Sequence, residues 1–177
     1  MTSFIALLRG INVGAKTSIR MAELRALAEG IGLSDVRTYI QSGNLLFGAE
    51  QADGLEEKLE SAVARAFLPV PVIVRSAGQW ADYASSNPFP DAAEAEPNRL
   101  MMMLSKRPPQ AEAASALQER ARDGERVALA GGTLWIHYRA GAGTSKLSPL
   151  LIDRLVGSPA TARNWRTVLK IGEMLAG

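Results

Sequence analysis

Along the first 75 positions the apolar residues switch between a period of two and a period near 3.6, and each switch marks an element. Residues 3–8 are a short apolar run and predict a strand. A glycine-containing loop, residues 9–17, leads to a helix over 21–30 with Leu24, Leu27, Ala28 and Ile31 on one face, closed by Gly30 and Gly32. Val36, Thr38 and Ile40 alternate with Arg37, Tyr39 and Gln41 as in a half-buried strand. Ser42-Gly43-Asn44 is a turn, and Leu45-Leu46-Phe47 runs back to complete a hairpin. A second helix starts at Asp53, with Glu56 three residues on as in a capping box, and continues through Leu55, Leu59, Val63, Ala66 and Phe67. Residues 70–74 supply a last strand. The order β-α-β-β-α-β is the split, ferredoxin-like one, and it places Leu24, Leu27, Ile40, Leu59, Val63, Phe67 and Val72 in the core.

A helix capped by Ser76 and carrying Trp80 and Tyr83 follows, and Asn87-Pro88-Phe89-Pro90 stops it before an acidic stretch, residues 91–96. That stretch reads as the boundary between a lobe over 1–90 and a second over 97–177. In the second, residues 99–104 predict a strand and Pro108-Pro109 opens an alanine-rich helix to Arg122. Residues 125–130 and 133–138 form a hairpin around Gly131-Gly132, and helices over 147–156 and 162–175 end the chain. The expected fold class is α+β: a ferredoxin-like βαββαβ N-terminal lobe plus a second, smaller α+β lobe of order βαββαα, with a helix where a last strand would stand.

With 177 residues and no cysteine, the chain cannot use disulfides, thiolate nucleophiles, zinc-thiolate sites or iron–sulfur clusters, and a reducing, cytoplasmic setting fits. The apolar run at the N-terminus has no positive residue before it, which marks a strand rather than a signal peptide. No run reaches the roughly 18 apolar residues of a membrane-spanning helix. The net charge of +2 is unevenly spread: residues 131–177 hold six Lys/Arg against two Asp/Glu, whereas residues 51–130 hold nine against twelve. Positive charge is therefore local, which suits a small anion better than a long nucleic acid.

The segment Gly10-Ile11-Asn12-Val13-Gly14-Ala15-Lys16-Thr17 lies between a strand and a helix, as a P-loop does, but three residues rather than four separate its glycines and Ala15 precedes Lys16. Nucleotide hydrolysis on that loop is not supported. Glycines still let backbone donors converge on an anion while Arg9 and Lys16 add charge, or they merely shape a tight connection. Arg37 and Tyr39 fall on the sheet face where RNA-recognition domains stack bases, although an aromatic content of 6% is low for such a domain; packing beneath the second half of the chain is the alternative. Thr161 as an N-cap would put Arg163, Arg166 and Lys170 on one helical stripe, with Arg163 in a first turn that disfavours a cation lacking a partner. Just upstream, Gly141-Ala142-Gly143-Thr144-Ser145-Lys146 is a second loop ending in a lysine. His137, the one histidine, alternates with Trp135 and Arg139 and reads as a hydrogen-bonded structural residue. No G-x-S-x-G elbow and no metal-ligand spacing is present, and nothing calls for a cofactor.

Three segments together, Leu7-Leu8-Arg9-Gly10-Ile11-Asn12-Val13-Gly14 with Met21-Ala22-Glu23-Leu24, Val36-Arg37-Thr38-Tyr39-Ile40-Gln41-Ser42-Gly43-Asn44, and Thr161-Ala162-Arg163-Asn164-Trp165-Arg166-Thr167-Val168, resemble a bacterial family catalogued as domain of unknown function 1697. The resemblance implies an α+β fold with a ferredoxin-like unit and implies no reaction. Ala15, Thr17, Ser18 and Arg20 stand where that family more commonly has Gly, Asn, Lys and Pro.

The expectation from these observations is a cleft between two lobes, lined by Arg9, Asn12, Lys16, Arg37, Tyr39, Lys146, Arg163 and Asn164, that holds a nucleotide or another phosphorylated small molecule. An enzyme acting on such a ligand is an alternative reading. RNA binding, or an interaction module forming a homodimer, is another.

Overall fold

In the computed structural model, which describes residues 1–177, two four-stranded antiparallel sheets organise the chain. The first is built from β1 (Thr2–Leu8), β2 (Ser34–Tyr39), β3 (Asn44–Ala49) and β4 (Val72–Ser76), in the order β2-β3-β1-β4, with α1 (Met21–Gly30) and α2 (Leu55–Ala66) as its crossovers. After α3 (Ala77–Ser85) and the short α4 (Pro90–Ala95), the second is built from β5 (Leu100–Ser105), β6 (Arg126–Ala130), β7 (Thr133–His137) and β8 (Ala160–Asn164), in the order β6-β7-β5-β8. Its helices are α5 (Ala113–Arg120) and α6 (Pro149–Val156), and α7 (Trp165–Ala176) follows. Adding four to each strand number of the first sheet reproduces the second, so the same βαββαβ unit occurs twice.

The α+β class and the ferredoxin-like first unit agree with the sequence pattern, but the end of the second unit differs. Residues 160–164 form β8, paired antiparallel with β5, and the helix expected from residue 162 starts at Trp165. Thr161 is therefore a strand residue, and the N-cap is Asn164, whose Oδ1 accepts from the Thr167 amide at 3.0 Å. The unit closes with a strand before its final helix, rather than as βαββαα. Threonine is at home both as a cap and in a strand, so Thr161 alone does not separate the two.

The chain falls into two compact units, one of Met1–Trp80 with Ile171–Gly177 and another of Ala81–Lys170. In the first, Leu24 and Ala28 of α1 and Leu59 and Val63 of α2 pack against Phe4, Ala6, Leu45 and Phe47, with the two phenylalanine rings stacked at 5.7 Å. Leu27 and Phe67 are partly buried at its margin. Ile40, expected in this core, is 49% exposed because β2 ends at Tyr39 and the chain turns there. The other face of the sheet, Ile5, Leu7, Leu46 and Ile73, is also buried. On this side Arg37 of β2 donates from Nη2 to the Met174 carbonyl at 3.0 Å. In the second unit, Leu117, Leu134, Ile136, Ile152 and Val156 form the helix-side core. Leu100, Met102, Leu104 and Trp135 fill the opposite face, with the rings of Trp135 and Trp165 5.8 Å apart. No helix is long and apolar enough to cross a membrane.

The outer strands are closed by side chains from neighbouring helices. Glu56 does not complete a capping box with Asp53: the residue before α2 is Gly54, at φ +71° with no side-chain cap, and the Glu56 carboxylate reaches β4 instead. There its Oε2 accepts from the Val74 amide at 2.8 Å, while Glu60 Oε2 accepts from the Val72 amide at 2.7 Å. The box forms at α3, where Ser76 Oγ accepts from the Gln79 amide and Gln79 Oε1 accepts from the Ser76 amide. On β6, Gln118 of α5 acts as a substitute strand: its Oε1 accepts from the Val127 amide and its Nε2 donates to the Glu125 carbonyl, each at 2.8 Å. At β8, Asp153 Oδ1 accepts from the Ala160 amide at 3.0 Å. On β2 the device is a bulge between Ser34 and Arg37, with Asp35 left-handed at φ +47°.

These contacts predict that Glu56→Ala combined with Glu60→Ala destabilises the fold by about 1–3 kcal/mol, since two ladder amides lose charged acceptors. The bared β4 edge should also make the protein self-associate, with sedimentation showing a mass that rises with concentration. A variant that stays monomeric at parental stability would show that the two carboxylates do not guard the edge.

Candidate functional site

The loop between β1 and α1 carries three of the residues singled out in the sequence, Arg9, Asn12 and Lys16, and its shape depends on left-handed backbone. Gly10, Asn12 and Gly14 lie at φ +67°, +57° and +89°, conformations open to glycine and tolerated by asparagine. The neck of the loop is closed by the Asn12 amide donating to the Thr17 carbonyl at 2.8 Å and by Thr17 Oγ1 donating to the Val13 carbonyl at 3.3 Å. The Asn12 side chain works in both directions. Its Oδ1 accepts from the Ile19 amide at 2.8 Å, and its Nδ2 donates to the carbonyls of Ile19 at 3.1 Å and Gln41 at 2.6 Å.

The last of these bonds ties the loop to the turn between β2 and β3. That turn is itself fixed by Asn44, fully buried, whose Nδ2 donates to the Tyr39 carbonyl and to Ser42 Oγ, both at 3.0 Å. The Leu8 amide donates to the Gly43 carbonyl at 2.9 Å. A Cβ on Gly43 would stand 2.9–3.0 Å from side-chain atoms of Ile11 and Leu8, so only glycine fits this approach. Loop and turn form one braced body in the first unit. From it residues 13–16 project into solvent, with Val13 71% exposed and Lys16 exposed at the tip. The amides of Val13, Gly14, Ala15 and Lys16 make no hydrogen bond within the chain.

The remaining residues divide between the units. Arg37 is exposed on β2 and holds the Met174 carbonyl, and Tyr39 is half-buried at the end of that strand. In the second unit Asn164 is occupied as the α7 cap. Arg163 was expected on a helical surface but is 7% exposed on β8, where Nη1 donates to Thr161 Oγ1 at 2.9 Å and to the Ala162 carbonyl at 2.8 Å. Burial pushes its guanidinium down to about 10, which leaves it cationic at neutral pH. Lys146 is exposed at the end of a loop that Ser145 pins. Ser145 Oγ donates to Glu125 Oε1 at 2.6 Å and accepts from the Leu147 amide at 3.1 Å.

Glu125 was not singled out in the sequence, where it reads as the polar start of a strand. It is 3% exposed, and its other oxygen accepts from the amides of Arg122 at 3.2 Å and Asp123 at 2.8 Å. Desolvation opposes its charge, but the Ser145 hydroxyl and the backbone amides outweigh this and hold the carboxyl below its ordinary 4.5. One buried carboxylate thus organises two loops.

His137 is 4% exposed and fully engaged: Arg126 donates to Nδ1 from Nε at 3.2 Å and from Nη2 at 3.0 Å, while Nε2 faces Glu96 Oε2 at 3.4 Å. A guanidinium only donates, so Nδ1 accepts and Nε2 carries the proton toward Glu96. Arg126 also pairs with Asp91 at 2.7 Å and lies over the Phe89 ring at 4.6 Å. These bonds fasten α4 and its approach to the second sheet, a structural role. No three His, Asp or Glu side chains converge to hold a metal.

A family model described as "Protein of unknown function (DUF1697)" matches residues 1–135. No curated protein matches the chain. Among solved structures, that of the conserved bacterial protein SP0830 from Streptococcus pneumoniae is similar over 100% of this chain and 99% of its own, at 25% identity and a TM-score of 0.74.

Replacing Asn12 with Ala should cost about 2–3 kcal/mol in denaturant unfolding, because three hydrogen bonds go and the Ile19 and Gln41 groups lose their partner. Lys16→Ala, at the exposed tip, should change stability by no more than about 0.5 kcal/mol. Equal effects of the two would mean that Asn12 does not brace the loop. A further test concerns pH. With a folded-state pKa below the unfolded 4.5, Glu125 contributes stability that is complete above 4.5 and lost as pH falls through the folded value. Glu125→Gln should therefore be less stable at neutral pH and show a shallower loss of stability on acidification; parallel pH profiles for parent and variant would contradict the assignment.

Proposed function

We propose a binding function for this chain, which belongs to the DUF1697 family of proteins of unknown function: it takes up an anionic, phosphorylated ligand on the loop between β1 and α1. The observation that carries this reading is the state of the loop itself. Residues 13–16 are exposed and their amides are unspent, yet the loop that presents them is held in a left-handed, braced shape by the three side-chain bonds of Asn12. Backbone amides held in advance in one conformation meet an anion without a further ordering cost. Lys16, exposed at the tip of the loop, adds positive charge beside these amides.

Binding is favoured over turnover because the segment has no histidine or carboxylate to act as acid or base, and the one histidine, His137, is committed to Arg126 and Glu96. A chain without cysteine suits a reducing, cytoplasmic setting, where phosphorylated small molecules abound.

Calorimetry and thermal shift with nucleotides and inorganic phosphates test the reading. Phosphate-bearing ligands should raise the melting temperature of the parent, and affinity should fall with salt. Lys16→Glu should weaken binding by about 1.5–3 kcal/mol, as expected for loss of a charge-assisted contact and gain of a repulsive one. Absence of any shift with the parent, or equal binding by Lys16→Glu, would overturn it.

A further inference from the structure

Three residues other than glycine have positive φ: Asn12 at +57°, Asp35 at +47° and Ile40 at +51°. Asparagine and aspartate enter the left-handed region readily, since their short polar side chains bond locally. Isoleucine does not, because its branched Cβ crowds the following carbonyl, and a β-branched residue there is a true outlier. Burial does not account for Ile40, which is 49% exposed and lies outside the core of its unit. The turn does not require it either, as glycine or asparagine would adopt the same backbone with less strain. Strain of this kind, held in place by its surroundings, gathers at ligand clamps.

The surroundings are those of the candidate site. Ile40 directly precedes Gln41, whose carbonyl takes the 2.6 Å bond from Asn12, and Asn12 directly precedes Val13, 71% exposed. Two exposed aliphatic residues thus stand one position away from the two partners of the bond that joins turn to loop, and Val13 begins the run of unbonded amides. A phosphate alone would have no use for them.

We infer that Ile40, with Val13, is a specificity element that receives the apolar ring of a nucleotide whose phosphates lie on the loop between β1 and α1. This rests on the reading of that loop as a phosphate site. It makes the ligand one that joins a ring to a phosphate, and it accounts for a strained isoleucine kept at the surface.

The test separates ring from phosphate by using ATP and inorganic tripolyphosphate as probes on the parent, Ile40→Asn and Ile40→Gly. Relief of the backbone should raise the melting temperature of the free variants, by about 2–4 °C for a chain of this size. Their affinity for ATP should fall at least about fivefold through loss of apolar contact, while that for tripolyphosphate stays as in the parent. Unchanged ATP affinity in variants that still bind tripolyphosphate would overturn the role of Ile40 and leave the loop reading intact. Failure of the parent to bind either probe would remove the loop reading, and this inference with it. Melting temperatures that fall in both variants, or a concentration-dependent mass in the parent that both abolish, would assign Ile40 to packing or to an interface between copies and equally overturn the proposal.

Discussion

Ile5, Leu7, Leu46 and Ile73 point away from the helices α1 and α2, yet all four are removed from water. Two crossover helices cover one face of a four-stranded sheet, so an apolar second face has to be covered by something further, and much of the chain's design follows from that requirement. Within the first unit the answer includes residues 171–177, far along the sequence, whose Met174 carbonyl holds Arg37 and whose Gly172 lies beside the Trp80 ring. In the second unit Trp165, the first residue of α7, lies 5.8 Å from Trp135 on the corresponding face. Bases stacked on Arg37 and Tyr39 in the manner of an RNA-recognition domain would need this face open, and its aliphatic residues are not.

Elements with a long, regular period were legible in the sequence. The stripe of Leu24 and Ala28 and that of Leu59 and Val63 define α1 and α2, and the glycines at 131 and 132 mark the turn between β6 and β7. What escaped were residues whose type serves two structures. Thr161 suits a helix cap and a strand alike, so its type does not separate β8 from a helix, nor Arg163 as a buried strand residue from a surface charge. Glu56 stands at capping-box spacing from Asp53, but long carboxylates reach across to a neighbouring strand as easily as back along their own helix, and that distance is invisible in one dimension. Ile40 continues an alternation that the backbone abandons one residue earlier, at Tyr39.

The candidate site was legible in part, and for a physical reason. Arg9, Asn12 and Lys16 stand close in sequence on one glycine-marked loop, and local geometry is what a sequence conveys best. The partnership of Asn12 with Gln41, 29 residues on, depends on strand pairing and could not be read from spacing. Glu125 gave no signal, because a buried carboxylate that accepts from a serine and two amides looks like any polar residue at the start of a strand.

The discontinuity of the first unit has a consequence for biosynthesis. A ribosome delivers residues 1–80 first and the returning segment, 171–177, only after the 90 residues from Ala81 to Lys170. At about 5–20 residues per second, the nascent first sheet waits on the order of ten seconds for that segment. During that interval Ile5, Leu7, Leu46 and Ile73 lack part of their eventual cover, and a half-made chain offers an adhesive surface that the finished protein conceals. Synthesis speed and chaperone access while the second unit is being translated thus bear on the yield of native molecules, independently of how stable the completed fold is.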